Sequence, residues 1–181
     1  SNKNILKINS FFKSSDKKID EWKSILSLSN KKINIGISIS GNPNHVKDNR
    51  RRIKIESFLE FKKFSKLFII QREIYQEDEI VLKNDEEIVY LGKHDKWKDF
   101  EDTSAIVHNM DLIISIDSSL IHLAGAMNKK SFLLLSKPAD WRWTEDNKLT
   151  PNWYNSVKIF RQREVGAWGT VIKDIKEELK Y

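Results

Sequence analysis

Apolar residues in this chain come as short, β-branched runs separated by longer polar stretches with helical spacing. Residues 33–39, 67–70, 88–91, 111–116, 131–135 and 157–160 read as strands. Between them, residues 20–28 place Trp22, Ile25 and Leu26 on one helical face, and residues 56–64 turn Phe58, Leu59, Phe61 and Phe64 mostly inward. Thr103 is positioned to cap a helix over 104–109. Residues 120–127 and 170–180 read as two further helices. Residues 1–16 and the acidic stretch 72–87 show no clear period. Strands this apolar must be covered on both faces. Alternating with helices, they predict an α/β fold with a doubly wound parallel sheet rather than a β-sandwich or a helical bundle.

Two strands break into small polar residues. The first runs Ile37-Ser38-Ile39-Ser40-Gly41-Asn42-Pro43-Asn44-His45, with Arg50-Arg51-Arg52 shortly after. The second runs Ile114-Ser115-Ile116-Asp117-Ser118-Ser119 into the helix that carries His122 and Gly125. Such a turn leaves backbone N–H groups pointing at whatever lies above the sheet, where they and the helix dipole favour an anion. Two of them in one parallel sheet predict one crevice for a diphosphate.

Each motif also has a plain structural reading. Gly41 and Asn42 suit a tight strand exit, and Pro43 stiffens it. Followed by His45 and the arginines, the turn becomes a better phosphate cradle, because a guanidinium grips two phosphate oxygens at once. One of Asp117, Ser118 and Ser119 must cap the following helix; the remaining amides and hydroxyls are then available to the ligand. His122, on the first turn of that helix and directed at the crevice, is either a substrate contact or a packing residue. Gly125 reads as close helix–sheet packing. Trp141 and Trp143 either stack on a ligand ring or close a hydrophobic lid over the sheet edge.

Composition narrows the function classes. The 181 residues suffice for one domain with a real core, and 39% are hydrophobic against 32% charged. There is no cysteine, which excludes disulfides, thiolate metal sites and cysteine nucleophiles; a cytoplasmic home is the default expectation. No apolar run is long enough to span a membrane. The net charge is +6, but lysines are spread among acidic residues, and no basic stripe with interleaved aromatics points to nucleic acid. The four histidines lack metal-ligand spacing, so no metal or other cofactor is expected.

Taken in order, these motifs resemble the heptosyltransferase-like glycosyltransferases. The resemblance rests on Gly41-Asn42-Pro43-x-His45-x-x-Asp48-x-x-Arg51, Gln71 at a strand end, and Asp99-Phe100-x-Asp102-Thr103-x-Ala105. It continues through residues 111–119, His122-Leu123-Ala124-Gly125-Ala126 and Asp140-Trp141-Arg142-Trp143. It runs from about Trp22 to the C-terminus and is nearest to a bacterial subset often fused to tetratricopeptide repeats. The resemblance implies the Rossmann-like C-terminal half of a GT-B enzyme, with residues 1–32 as linker and helix leading from an absent N-terminal acceptor domain and residues 33–181 as the nucleotide-sugar domain. It implies an inverting, metal-independent transfer to a glycan, lipid or protein acceptor, with the general base in the absent half and the isolated chain inactive. By the same resemblance Ser40, Gly41, Asn42 and Arg51 form the first phosphate turn, and Asp117, Ser118 and Ser119 the second. His122 then stands beside the sugar, with Gln71 and Thr103 nearer the nucleoside. The chain departs from the family pattern at Ile39, where an aromatic is common, and at Asn128-Lys129-Lys130, where Gly-Lys-Pro is usual. A non-catalytic nucleotide-binding or interaction module on the same fold is the alternative.

Overall fold

A computed structural model describes Ser10 and residues 12–42, 48–143 and 153–180. The elements are α1 (Asp16–Leu26), β1 (Ile33–Ser38), α2 (Asp48–Arg51), a 3-10 helix (Ile55–Lys63), β2 (Ser65–Ile69), α3 (Gln76–Lys83) and β3 (Ile88–Tyr90). They continue with α4 (Phe100–Asn109), β4 (Leu112–Ile116), α5 (Ser119–Ala126), β5 (Ser131–Leu135), a 3-10 turn (Trp141–Trp143), β6 (Val157–Arg161) and α6 (Trp168–Glu178). The six strands form one all-parallel sheet in the order β3-β2-β1-β4-β5-β6. The doubly wound α/β expectation therefore holds. The order reverses between β1 and β4, which pair directly from Ile35↔Leu112 to Ser38↔Ser115.

Side chains alternate across each strand, and in the central strands β1, β4 and β5 both sets are buried apart from Ile33 at the start of β1. Ile35, Ile37, Leu67, Ile69, Ile114 and Phe132 face the 3-10 helix and α6. Phe68, Ile70 and Ile113 face α1, α4 and α5. Two-sided burial is why the strands read as continuous apolar runs instead of an alternating pattern.

Three local predictions are corrected. The helix expected over 56–64 is a 3-10 helix, Ile55–Lys63, in which Ile55, Phe58 and Phe61 repeat every three residues and all three are buried. Thr103 does not cap α4. Asp99 does, in a reciprocal box: its carboxylate accepts from the Asp102 N–H at 3.0 Å, while Asp102 Oδ2 accepts from the Asp99 N–H at 3.4 Å. The unreadable stretch 72–87 contains α3, whose buried positions include Asp78, a residue no apolar pattern can reveal.

α1 belongs to the same packed body. Trp22 is fully buried, and its indole N–H donates to Asp102 Oδ1 at 3.0 Å. Lys18 donates to the same oxygen at 2.6 Å. Burial works against its ionisation, but Lys18, the indole and the Lys98 N–H at 2.8 Å on Oδ2 together outweigh it and hold this carboxyl down at a pKa of about 2.

Candidate functional site

A cavity of about 580 Å³ opens at the carboxyl ends of the strands, where the sheet order reverses. Its size suits a small organic ligand, and its position is the one open α/β sheets use for ligands. One wall is the turn after β1, with Ser40, Gly41 and Asn42; the opposite wall is the start of α5, with Ser118 and Ser119. Arg51 spans the two, its guanidinium donating to the Asp117 carbonyl at 2.8 Å while still lining the cavity.

Gln71 also lines the cavity, but its amide is committed to the protein. Its oxygen accepts from the Ile39 N–H at 2.7 Å and the Ser40 N–H at 3.4 Å. Its nitrogen donates to Ser40 Oγ and to the Glu73 carbonyl, each at 2.8 Å. With both acceptor and both donor positions used, Gln71 braces the first turn. Thr103 lines the cavity too; its hydroxyl donates to the Asp99 carbonyl at 2.9 Å and accepts from the Trp97 indole at 2.8 Å. At the second turn, Ser118 is the N-cap: its hydroxyl accepts from the Leu120 N–H at 3.3 Å and lies 3.0 Å from Ser115 Oγ.

The three arginines diverge. Arg50 is exposed and Arg51 reaches the second turn. Arg52 turns away, pairing with the fully buried Asp78 at 2.8 Å and with Glu77 at 3.0 Å, its guanidinium 3.8 Å from the centre of the Tyr75 ring. Asp78 also accepts from the Ile55 N–H at 2.9 Å. The Arg52–Asp78 pair thus fixes the segment that carries Arg51.

Two predicted residues are placed elsewhere, and one is outside the description. His45 lies outside the described residues. Asp117 and His122 do not line the cavity. His122, expected to face the crevice, turns to the far side of α5 and stacks on Trp143, ring centres 4.8 Å apart. The two tryptophans part company: Trp143 is buried, whereas Trp141 is 82% exposed. Gly125 does admit a close approach, but from the Tyr154 ring rather than from the sheet: a Cβ there would sit 2.4 Å from Tyr154 Cγ. Burial pushes the His122 imidazole below its ordinary pKa, opposed by Asp117 and reinforced by Arg142.

The sequence reading missed half of the cavity. Arg72 and Glu73 after β2, and Trp97, Lys98 and Phe100 before and at the start of α4, form the wall beyond Gln71. The Arg72 guanidinium lies over the Trp97 ring at 4.3 Å and donates to the Trp97 carbonyl. The available signal was positional: these segments follow β2 and β3, at the same end of the sheet as the two glycine and serine turns. Among the described residues no group of three or more His, Asp or Glu is placed to hold a metal ion. No helix among the described residues is long and apolar enough to cross a membrane.

No protein-family model matches the sequence, and no curated protein does. Solved structures share its fold. ADP-heptose LPS heptosyltransferase II from E. coli superposes with a TM-score of 0.63 at 18% identity, over 93% of this chain and 52% of that one. A glycosyl transferase of family 9 from Veillonella parvula gives 0.61 at 15% identity, over 94% and 45%. At these identities the likeness is one of fold, and the chain spans about half the length of either protein.

Proposed function

We propose that this chain is the nucleotide-sugar donor-binding domain of a sugar transferase. The observation that carries the reading is the cavity itself: the turn after β1 and the N-terminus of α5 face each other across it, with Arg51 between them. A small-residue turn on one side, a helix N-terminus on the other and a guanidinium between them are features that favour a diphosphate. In this reading Ser40, Gly41 and Asn42 contact one phosphate and Ser118 and Ser119 the other. Asp117 lies next to the second turn and takes the sugar end, and the His122 ring, held off the cavity by Trp143, keeps its Nε2 3.9 Å from Asp117 Oδ1. The wall of Gln71, Arg72, Trp97 and Thr103 takes the nucleoside.

The proposed chemistry is inverting displacement at the anomeric carbon. The bond from sugar to diphosphate breaks as the acceptor oxygen attacks the opposite face, and the leaving diphosphate gains negative charge. Arg51 and the α5 N-terminus stabilise that charge from fixed positions, which supports a metal-independent step. The acceptor site and general base belong, in this proposal, to an N-terminal domain of the GT-B kind joined to the chain. The solved relatives, about twice as long, are consistent with that arrangement.

Calorimetric titration with ADP, GDP and UDP, with and without EDTA, tests the reading. Binding of at least one nucleotide that survives EDTA and weakens in Arg51→Ala is the expected result. No binding by any of the three, or a strict need for divalent metal, would refute it.

A further inference from the structure

The far side of α5 holds a second constellation that the cavity does not use. Tyr154 lies just before β6, and its ring rests on the backbone of Gly125, with no room for a Cβ between them. From there the phenol reaches back along the helix, and its oxygen lies 3.1 Å from His122 Nδ1. The imidazole is clamped between Trp143, stacked at 24°, and the edge of Tyr154, at 66°. Its other nitrogen, Nε2, lies 3.9 Å from Asp117 Oδ1. Trp143 is fully buried, so the stack cannot swing freely.

The protonation states follow from the surroundings. Burial lowers the His122 pKa and raises that of Tyr154, so at neutral pH the imidazole is neutral and the phenol keeps its proton. Asp117, Asp140 and Arg142 are the charged groups that face the ring, two favouring imidazolium and one opposing it. Among the described residues the only hydrogen-bond partner of the Tyr154 hydroxyl is Nδ1. If the phenol donates to Nδ1, the imidazole proton must sit on Nε2.

We propose that Tyr154 is a positioning residue that fixes His122 as its Nε2–H tautomer, and that Gly125 makes the room this requires. The donor N–H is thereby directed to the Asp117 side of the α5 N-terminus. Its bearing on chemistry rests on the donor-binding reading, in which that side meets the sugar end of the ligand.

The test is the ¹⁵N tautomer signature of His122 in the folded, ligand-free chain near pH 8. The expected result is an Nε2–H imidazole in the unsubstituted protein. In Tyr154→Phe the preference for that tautomer falls roughly fivefold, the factor equivalent to one neutral hydrogen bond of about 1 kcal/mol. Gly125→Ala displaces the ring while keeping the hydroxyl and gives the same loss. An Nδ1–H imidazole in the unsubstituted chain overturns the proposal without any variant, as does an unchanged signature in a folded Tyr154→Phe protein. Adding ADP, GDP and UDP to the same samples separates this proposal from the donor reading. Amide shifts at Ser40 and Ser119 with a tautomer indifferent to Tyr154→Phe would sink the first and leave the second. Tautomer loss with no nucleotide response would do the reverse.

Discussion

The arginine triplet separates binding from stability at adjacent positions. Arg52 is only 14% exposed and bonds the fully buried Asp78 at 2.8 Å. Arg52→Ala leaves that carboxylate buried with, among the described residues, only the Ile55 N–H as a partner. Breaking a buried pair from one side costs about 3–5 kcal/mol. Because Glu77 is 55% exposed, its share of the loss is small, and we take about 3 kcal/mol for the whole change. For a chain of 181 residues that lowers Tm by roughly 6–12 °C, at about 2–4 °C per kcal/mol. Replacing both partners with apolar residues, Arg52→Met with Asp78→Leu, should recover most of the loss, since no charge is then stranded. Arg51→Ala should leave Tm within about 2 °C, as expected for a partly exposed side chain, and weaken nucleotide binding by the roughly 10- to 150-fold that a charge-assisted phosphate contact of about 1.5–3 kcal/mol represents. Arg50→Ala should do neither. Differential scanning calorimetry and titration calorimetry on the three variants decide it. Three equal, small losses of binding with unchanged Tm would show a diffuse basic patch and refute the division of roles.

Acid should weaken the protein through Asp102. Its folded pKa of about 2 lies below the unfolded value of about 3.9, so the stabilisation is full above about pH 5 and is lost as pH falls towards 2; the shift is worth about 2.5 kcal/mol. Urea melts between pH 2 and 6 should therefore show a flatter acid limb in Asp102→Asn, and parallel limbs would contradict the assignment. Gln71→Ala strands the Ile39 and Ser40 N–H groups and should destabilise the first turn by about 1–3 kcal/mol, with faster hydrogen exchange at Ser40 and Gly41. An unchanged exchange rate there would show that the brace is dispensable. The chain by itself should bind nucleotide and transfer no sugar. Turnover of radiolabelled nucleotide sugars that disappears in Asp117→Ala would show that it carries a complete active site.

The sheet was legible because its strands are buried on both faces, and a run such as Ile113-Ile114-Ser115-Ile116 has no competing helical reading. The two turns were legible because glycine and serine after such a run have few other uses. What stayed hidden depends on partners distant in sequence. Asp78 reads as a surface acid until Arg52, 26 residues away, is placed against it. Asp99 and Asp102 form a capping box with aspartate at both positions, which the usual Ser or Thr with Glu or Gln pattern does not flag. His122 read as a crevice residue because its place on the helix is near the crevice; Trp143 and Tyr154, 21 and 32 residues later, turn the ring away.

The seam between β1 and β4 also joins the two paired strands of the sheet most distant in sequence. Strands β1, β2 and β3 are consecutive in the chain, as are β4, β5 and β6, so each half of the sheet forms from neighbouring segments. Joining the halves closes a much longer loop: the Asn34 N–H donates to Asp111 Oδ2 across 77 residues, and Arg51 reaches the Asp117 carbonyl across 66. Long-range parallel pairing is the slow step in folds of this kind. The cavity is built on that seam, so its two walls meet only when the two halves join. A ligand held by both walls then acts as a bolt across the joint, slowing the separation of the halves more than their meeting.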